Sequence, residues 1–146
     1  MSDFRRLTET MYASPQIAPE DVAAAKESGI TLIVNNRPDG EAPDQPKGET
    51  IREAAENAGI AYVAIPVGST GFSLPQVEAL GEAIAANDGK TLGFCRSGTR
   101  STLLWALAEA KDGRDPEAVA SDAAQAGYDV GPVRPMMDML AGKTRG

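Results

Sequence analysis

At 146 residues, with 42% hydrophobic side chains, the chain has the size and composition of a single soluble globular domain spanning 1–146. Its net charge of −7 speaks against nucleic acid as a partner, and no apolar run approaches the ~20 residues of a membrane span. Histidine is absent and cysteine occurs once, which excludes cysteine–histidine dyads, serine–histidine–aspartate triads, histidine-based zinc sites and an internal disulfide.

The first residues lack an apolar stretch, so no signal peptide is expected and a cytoplasmic location is the default. Residues 4–17 alternate roughly between apolar and polar types and predict two short strands at a sheet edge. Pro19 followed by Glu20 and Asp21 predicts a helix start, with the helix ending at Ser28-Gly29. Ile30-Thr31-Leu32-Ile33-Val34-Asn35 is β-branched and continuously apolar, the pattern of a strand buried on both faces of a parallel sheet.

Residues 36–46 carry three prolines and a glycine and predict a long loop, either a solvated connector or part of a site. A helix over 48–58 follows, with Thr50 expected as its cap and Ile51, Ala54, Ala55 and Ala58 on one face. Residues 60–67 predict a strand, 68–72 a flexible glycine-rich loop, and Ser73 the cap of a helix that buries Val77, Leu80, Ala83 and Ile84. Asn87-Asp88-Gly89-Lys90 turns into the strand that ends at Phe94. A helix runs from Ser101 through Ala108. Asp115-Pro116-Glu117 opens another, and a last helix over 134–140 packs Met136, Met137, Met139 and Leu140 against the core, ahead of a frayed tail from Gly142.

Alternating strands and helices predict a three-layer α/β domain with a central, mostly parallel sheet flanked by helices. Ligands of such sheets bind beyond the carboxyl ends of the strands. That brings three loops together: 35–46, 67–73 and 95–100.

The third of these, Cys95-Arg96-Ser97-Gly98-Thr99-Arg100-Ser101, joins a buried strand to a helix N-terminus. Free N–H groups and the helix dipole favour an anion there, and Gly98 permits a close turn around it. Arg96 and Arg100 add positive charge, and the same field favours the thiolate of Cys95, a candidate nucleophile. A cysteine at a strand end is also a common inert core residue. No metal or organic cofactor is implied.

Three segments carry a family resemblance: Asn35-Asn36-Arg37-Pro38-Asp39-Gly40-Glu41, Ile65-Pro66-Val67 and Cys95 to Ser101. The chain resembles the bacterial beta-lactamase-hydrolase-like family, whose phosphatase-like or sulfurtransferase-like domain belongs to the tyrosine-phosphatase superfamily. The resemblance implies a dual-specificity-phosphatase-like fold with a five-stranded sheet, two N-terminal strands at its edge and the cysteine strand near its centre. Phosphatases of that superfamily place five residues between cysteine and arginine, and usually a histidine before the cysteine. Here four residues intervene and Phe94 precedes Cys95. The shorter loop is similar to the active loop of rhodanese-type sulfurtransferases. The superfamily's acid-bearing loop corresponds to 67–73, which holds no carboxylate; Asp39 or Glu41 is the substitute within reach.

Both departures favour a cysteine-dependent sulfurtransferase with a Cys95 persulfide intermediate. Its donor is a small anion, thiosulfate-like or a persulfide, held by Arg96, Ser97, Gly98, Thr99, Arg100 and Ser101, with Arg37 as a further cation at the mouth. Its acceptor is an external thiol or cyanide-like nucleophile. The alternative is a phosphatase acting on a phosphate ester through a phosphocysteine, with Arg100 on the phosphoryl oxygens and Ser101 bonding the thiolate. A third reading is a catalytically silent anion-binding module.

Overall fold

The computed structural model describes residues 2–145, with side chains through residue 142. The elements in chain order are β1 (Arg5–Arg6), β2 (Met11–Ser14), α1 (Asp21–Glu27), β3 (Ile30–Asn35), α2 (Gly48–Asn57), β4 (Ala61–Ala64), α3 (Leu74–Ala85), β5 (Lys90–Phe94), α4 (Thr99–Lys111), α5 (Pro116–Gln125), a 3-10 turn (Gly131–Val133) and α6 (Arg134–Arg145). The sheet has five strands in the order β1-β2-β5-β3-β4. β1 is antiparallel to β2, and every other pairing is parallel. The expected three-layer α/β architecture with a five-stranded, mostly parallel sheet is therefore the observed one, with β5 in the middle.

Two cores, one on each face of the sheet, hold the layers together. Ile17, Val22, Ala25, Ile33, Ile51, Ala55, Leu92 and Phe94 form the core under α1 and α2. Leu32, Val34, Val77, Leu80, Leu104, Trp105, Leu107, Val119 and Met137 form the core under α3 to α6. Leu32 and Val34 feed one core and Ile33 the other, which explains the apolar run Leu32-Ile33-Val34. The β3–β5 register slips between Ile30 and Leu32, so Ile30 joins Ile33 rather than Leu32. Helix α4 is buried on nearly every side, as a helix wedged between the sheet and α3, α5 and α6 must be.

Several local expectations are corrected. Helix α1 begins at Asp21, after a turn in which Asp21 Oδ2 accepts the Ala18 N–H at 2.7 Å, so Pro19 precedes the helix. Helix α2 begins at Gly48 and leaves Thr50 inside its first turn; the cap comes from Asp39, whose Oδ1 accepts the Gly48 N–H at 2.8 Å. β4 stops at Ala64, although Ile65 N–H and Val67 N–H still bond to the carbonyls of Asn35 and Asn36. Met139 is exposed while Met137 and Leu140 are buried. α6 continues to Arg145, past the expected frayed start at Gly142, and the expected tail's last residue, Gly146, lies outside the described residues. Among the described residues no helix is long and apolar enough to cross a membrane.

Register places the site. Ser14, Phe94 and Asn35 stand side by side across β2, β5 and β3. The next residues of all three strands therefore leave the sheet at one edge, and this edge collects Gln16, Cys95 and Arg37.

Candidate active site

Cys95 is the first residue past β5 and is fully buried. Its sulfur accepts the Gly98 N–H at 3.1 Å. The chain closes that contact because Gly98 has φ +93, a left-handed conformation that a side chain rarely adopts. Gly98 then caps α4, whose first turn holds Arg100. Gly93 lets that turn sit tightly on the sheet, since a Cβ there would lie 3.3 Å from both Met11 Cε and Ser101 Cβ.

Arg100 is anchored from two loops. Its Nη1 donates to Glu41 Oε2 and to the Val67 carbonyl, each at 2.7 Å, and its Nη2 donates to Glu41 Oε1 at 2.8 Å. Glu41 also accepts from Arg37 Nε at 3.0 Å, and Arg37 Nη1 donates to Gln16 Oε1 at 3.1 Å. The hydrogen bond from Arg100, aided by that from Arg37, pulls the Glu41 carboxyl down to about 2. Arg100 is raised, first by Glu41 and further by its attraction to Cys95. The loops 35–46, 67–73 and 95–100 thus meet as the sheet topology required.

The sequence-derived candidates separate into distinct places. Cys95, Gly98, Arg100, Arg37 and Glu41 come together. Arg96 is exposed, and its carbonyl accepts the Gln16 N–H at 3.2 Å. Ser97 Oγ accepts the Thr99 N–H at 3.3 Å and donates to Thr99 Oγ1 at 3.0 Å, so these two hydroxyls brace the turn. Ser101 is buried and donates to Asn36 Oδ1 at 2.7 Å; its single proton is directed there and not to the thiolate. Asp39 caps α2 and does not join Cys95.

Three participants escaped the sequence reading. Gln16 reaches Arg37 from the β2–α1 segment. Asn36, within the quoted Asn35–Glu41 segment, ties β3 to β5, α4 and the β4 exit: its N–H donates to the Phe94 carbonyl at 2.8 Å and its Nδ2 to the Ile65 carbonyl at 2.9 Å. Tyr128 is buried, and its hydroxyl donates to the Ser97 carbonyl at 3.1 Å. The Arg5 guanidinium lies over its ring, 5.2 Å from the centroid. Burial holds the Tyr128 hydroxyl above the ordinary tyrosine range, with Arg5 opposing, so it stays protonated as a donor. Asn36 could have been suspected from its place after β3; nothing local marks Tyr128.

A buried thiol facing an arginine over a glycine-capped helix start is an anion site by geometry. Residues 3–112 match the family model described as beta-lactamase hydrolase-like protein, phosphatase-like domain. The chain belongs to that family. It is 38% identical over 108 residues to the beta-lactamase hydrolase-like protein of Xylella fastidiosa strain Temecula1, a match covering 74% of this chain and 25% of that protein. The chain therefore spans about a quarter of the length of the curated relatives it matches. Among solved structures, a candidate phosphatase of Neisseria meningitidis Z2491 superposes with a TM-score of 0.81 at 31% identity, covering 93% of this chain and 96% of that one. PTPMT1 in complex with PI(5)P superposes with a TM-score of 0.73 at 12% identity, covering 97% and 98% of the two chains, a likeness of fold alone. The family member described here is thus a phosphatase-like domain on a tyrosine-phosphatase-like fold.

Proposed function

We propose that the domain is a cysteine-dependent sulfurtransferase built on this phosphatase-like fold. The state of Glu41 carries the reading. It is the carboxylate that meets Arg100, and with its carboxyl at about 2 it is ionised at neutral pH and has no proton to give. The 67–73 loop offers no carboxylate, and Asp39 is engaged at α2. Hydrolysis of an alkyl phosphate needs a proton for its leaving oxygen. Release of sulfite does not.

In the proposed first step the Cys95 thiolate attacks the outer sulfur of thiosulfate or a similar donor. A bond forms between Cys95 Sγ and that sulfur, the sulfur–sulfur bond of the donor breaks, and sulfite leaves with the bonding pair. The donor's charge draws Arg100 away from Glu41, and first-turn N–H groups of α4 face the negative charge. The resulting persulfide carries one negative charge. In the second step an external thiolate or cyanide attacks the outer sulfur, takes it, and returns Cys95 as thiolate.

A Cys95-based phosphatase is the second reading, favoured by the phosphatase-like family description and by a fold neighbour holding a phosphoinositide. The two separate in one assay of the protein and its Cys95→Ser variant, with thiosulfate plus cyanide and with an aryl phosphate. Thiocyanate formation that requires Cys95, with little phosphate release, is the expected result. Cysteine-dependent phosphate release without thiocyanate would overturn the sulfurtransferase reading.

A further inference from the structure

One peptide unit carries two hydrogen bonds that point in opposite directions. Its N–H belongs to Gly98 and donates to Cys95 Sγ at 3.1 Å. Its C=O belongs to Ser97 and accepts from the Tyr128 hydroxyl at 3.1 Å. The two groups of a planar trans peptide are antiparallel, so fixing the carbonyl fixes the aim of the N–H. A hydrogen bond to the carbonyl also polarises the amide and strengthens what its N–H can donate.

We propose that Tyr128 is a positioning residue for the Cys95 thiolate, acting through the Ser97–Gly98 peptide. The inference rests on the reading of Cys95 as a nucleophile. Tyr128 comes from the connection between α5 and the 3-10 turn, far along the chain from the loop it holds. A phenylalanine would fill the same volume, so ring packing alone gives the hydroxyl no purpose; an unpaired buried hydroxyl would be a cost. The approach is close enough that a Cβ on Gly98 would lie 2.1 Å from the Tyr128 oxygen. Arg5 of β1 lies over the Tyr128 ring, linking the edge strand to the residue that holds the cysteine loop.

Among the described residues, Arg100 and Tyr128 are titratable side chains that interact with Cys95, and each is held by a further partner. Arg100 faces it from α4 and is bound by Glu41 of the β3–α2 loop. Tyr128 faces it from the α5–α6 side with Arg5 above. Tyr128→Phe leaves Arg100, Glu41 and Arg5 in place, so any change in thiolate formation is read against a constant charge background.

The test follows thiolate absorbance in the far ultraviolet across pH, for the wild-type chain and Tyr128→Phe, each corrected by its own Cys95→Ser counterpart. This needs no reagent to reach a buried sulfur. Thermal melting of each protein reports folding separately. The expected result is a thiolate midpoint about half to one pH unit higher in Tyr128→Phe, on the scale of losing one polarised hydrogen bond. A wild-type midpoint near the free-thiol value of about 8.5 would overturn both the nucleophile reading and this one. A low wild-type midpoint that Tyr128→Phe leaves in place, or lowers, would overturn this one alone.

Discussion

Glu41 grips both terminal nitrogens of Arg100, Oε2 on Nη1 at 2.7 Å and Oε1 on Nη2 at 2.8 Å. The fork geometry is the one by which arginine binds a carboxylate or an oxyanion. Glu41 therefore occupies the guanidinium face that an incoming anion needs. Glu41→Gln removes the charge but keeps an acceptor, so Arg100 is freer for the ligand. Sulfate or thiosulfate should bind about 2–5-fold tighter to the variant, the scale of a partly exposed ion pair. Titration calorimetry reads this directly. Weaker binding would mean that Glu41 orients Arg100 for the anion and does not compete with it.

The same carboxylate gives an acid signature. Its carboxyl lies at about 2 in the folded chain against an ordinary 4.5, lowered first by Arg100 and then by Arg37. A depressed carboxyl contributes stability that is complete above its unfolded value and is lost as pH falls through its folded value. The wild-type melting temperature should therefore fall more steeply than that of Glu41→Gln between about 4.5 and about 2. Parallel curves across that window would show the pair contributes nothing to folding.

Much of this candidate site is legible in the sequence, for physical reasons particular to each part. Ile30–Asn35 is legible because Ile30, Leu32, Ile33 and Val34, four of its six residues, are apolar and buried on the two faces of the sheet. Cys95 and Arg100 stand out in the sequence as candidates because charge beside a buried strand end is unusual and the sheet's carboxyl edge gathers their loops. Glu41 reads from the sequence as a substitute proton donor; its bonds to Arg100 and Arg37 show it ionised at neutral pH. Thr50 misled because a threonine near a helix start is a good cap, whereas Asp39 supplies the cap from a separate loop. Tyr128 left no local trace, since its role exists only where the α5–α6 connection crosses the cysteine loop.

Asn36 is the buried joint between β3, β5, the β4 exit and α4. Its amide satisfies the Ile65 carbonyl at 2.9 Å and the Ser101 hydroxyl at 2.7 Å. Asn36→Ala leaves both partners buried without a bond, and should cost about 2–4 kcal/mol. Asn36→Ala and Ser101→Ala share one bond, so the double variant should be less destabilised than the sum of the two. Urea unfolding of the four proteins gives the coupling. Additive losses would mean that the Ser101–Asn36 bond carries no stability of its own.

Gly98 is constrained twice, by its own backbone and by Tyr128. At φ +93 a side chain is strained, a cost of about 1–2 kcal/mol for an L-residue held in left-handed geometry. Separately, the new Cβ would stand 2.1 Å from the Tyr128 oxygen and 2.9 Å from its ring carbon Cζ. Gly98→Ala should therefore destabilise the chain and also displace the N–H that meets Cys95. The two costs can be pulled apart. In a Tyr128→Ala background the collision disappears while the backbone strain stays, so the added loss from Gly98→Ala should shrink to about the strain alone. An equal loss in both backgrounds would show that the loop yields to the side chain without cost and that the close approach of Tyr128 does not dictate glycine at this position.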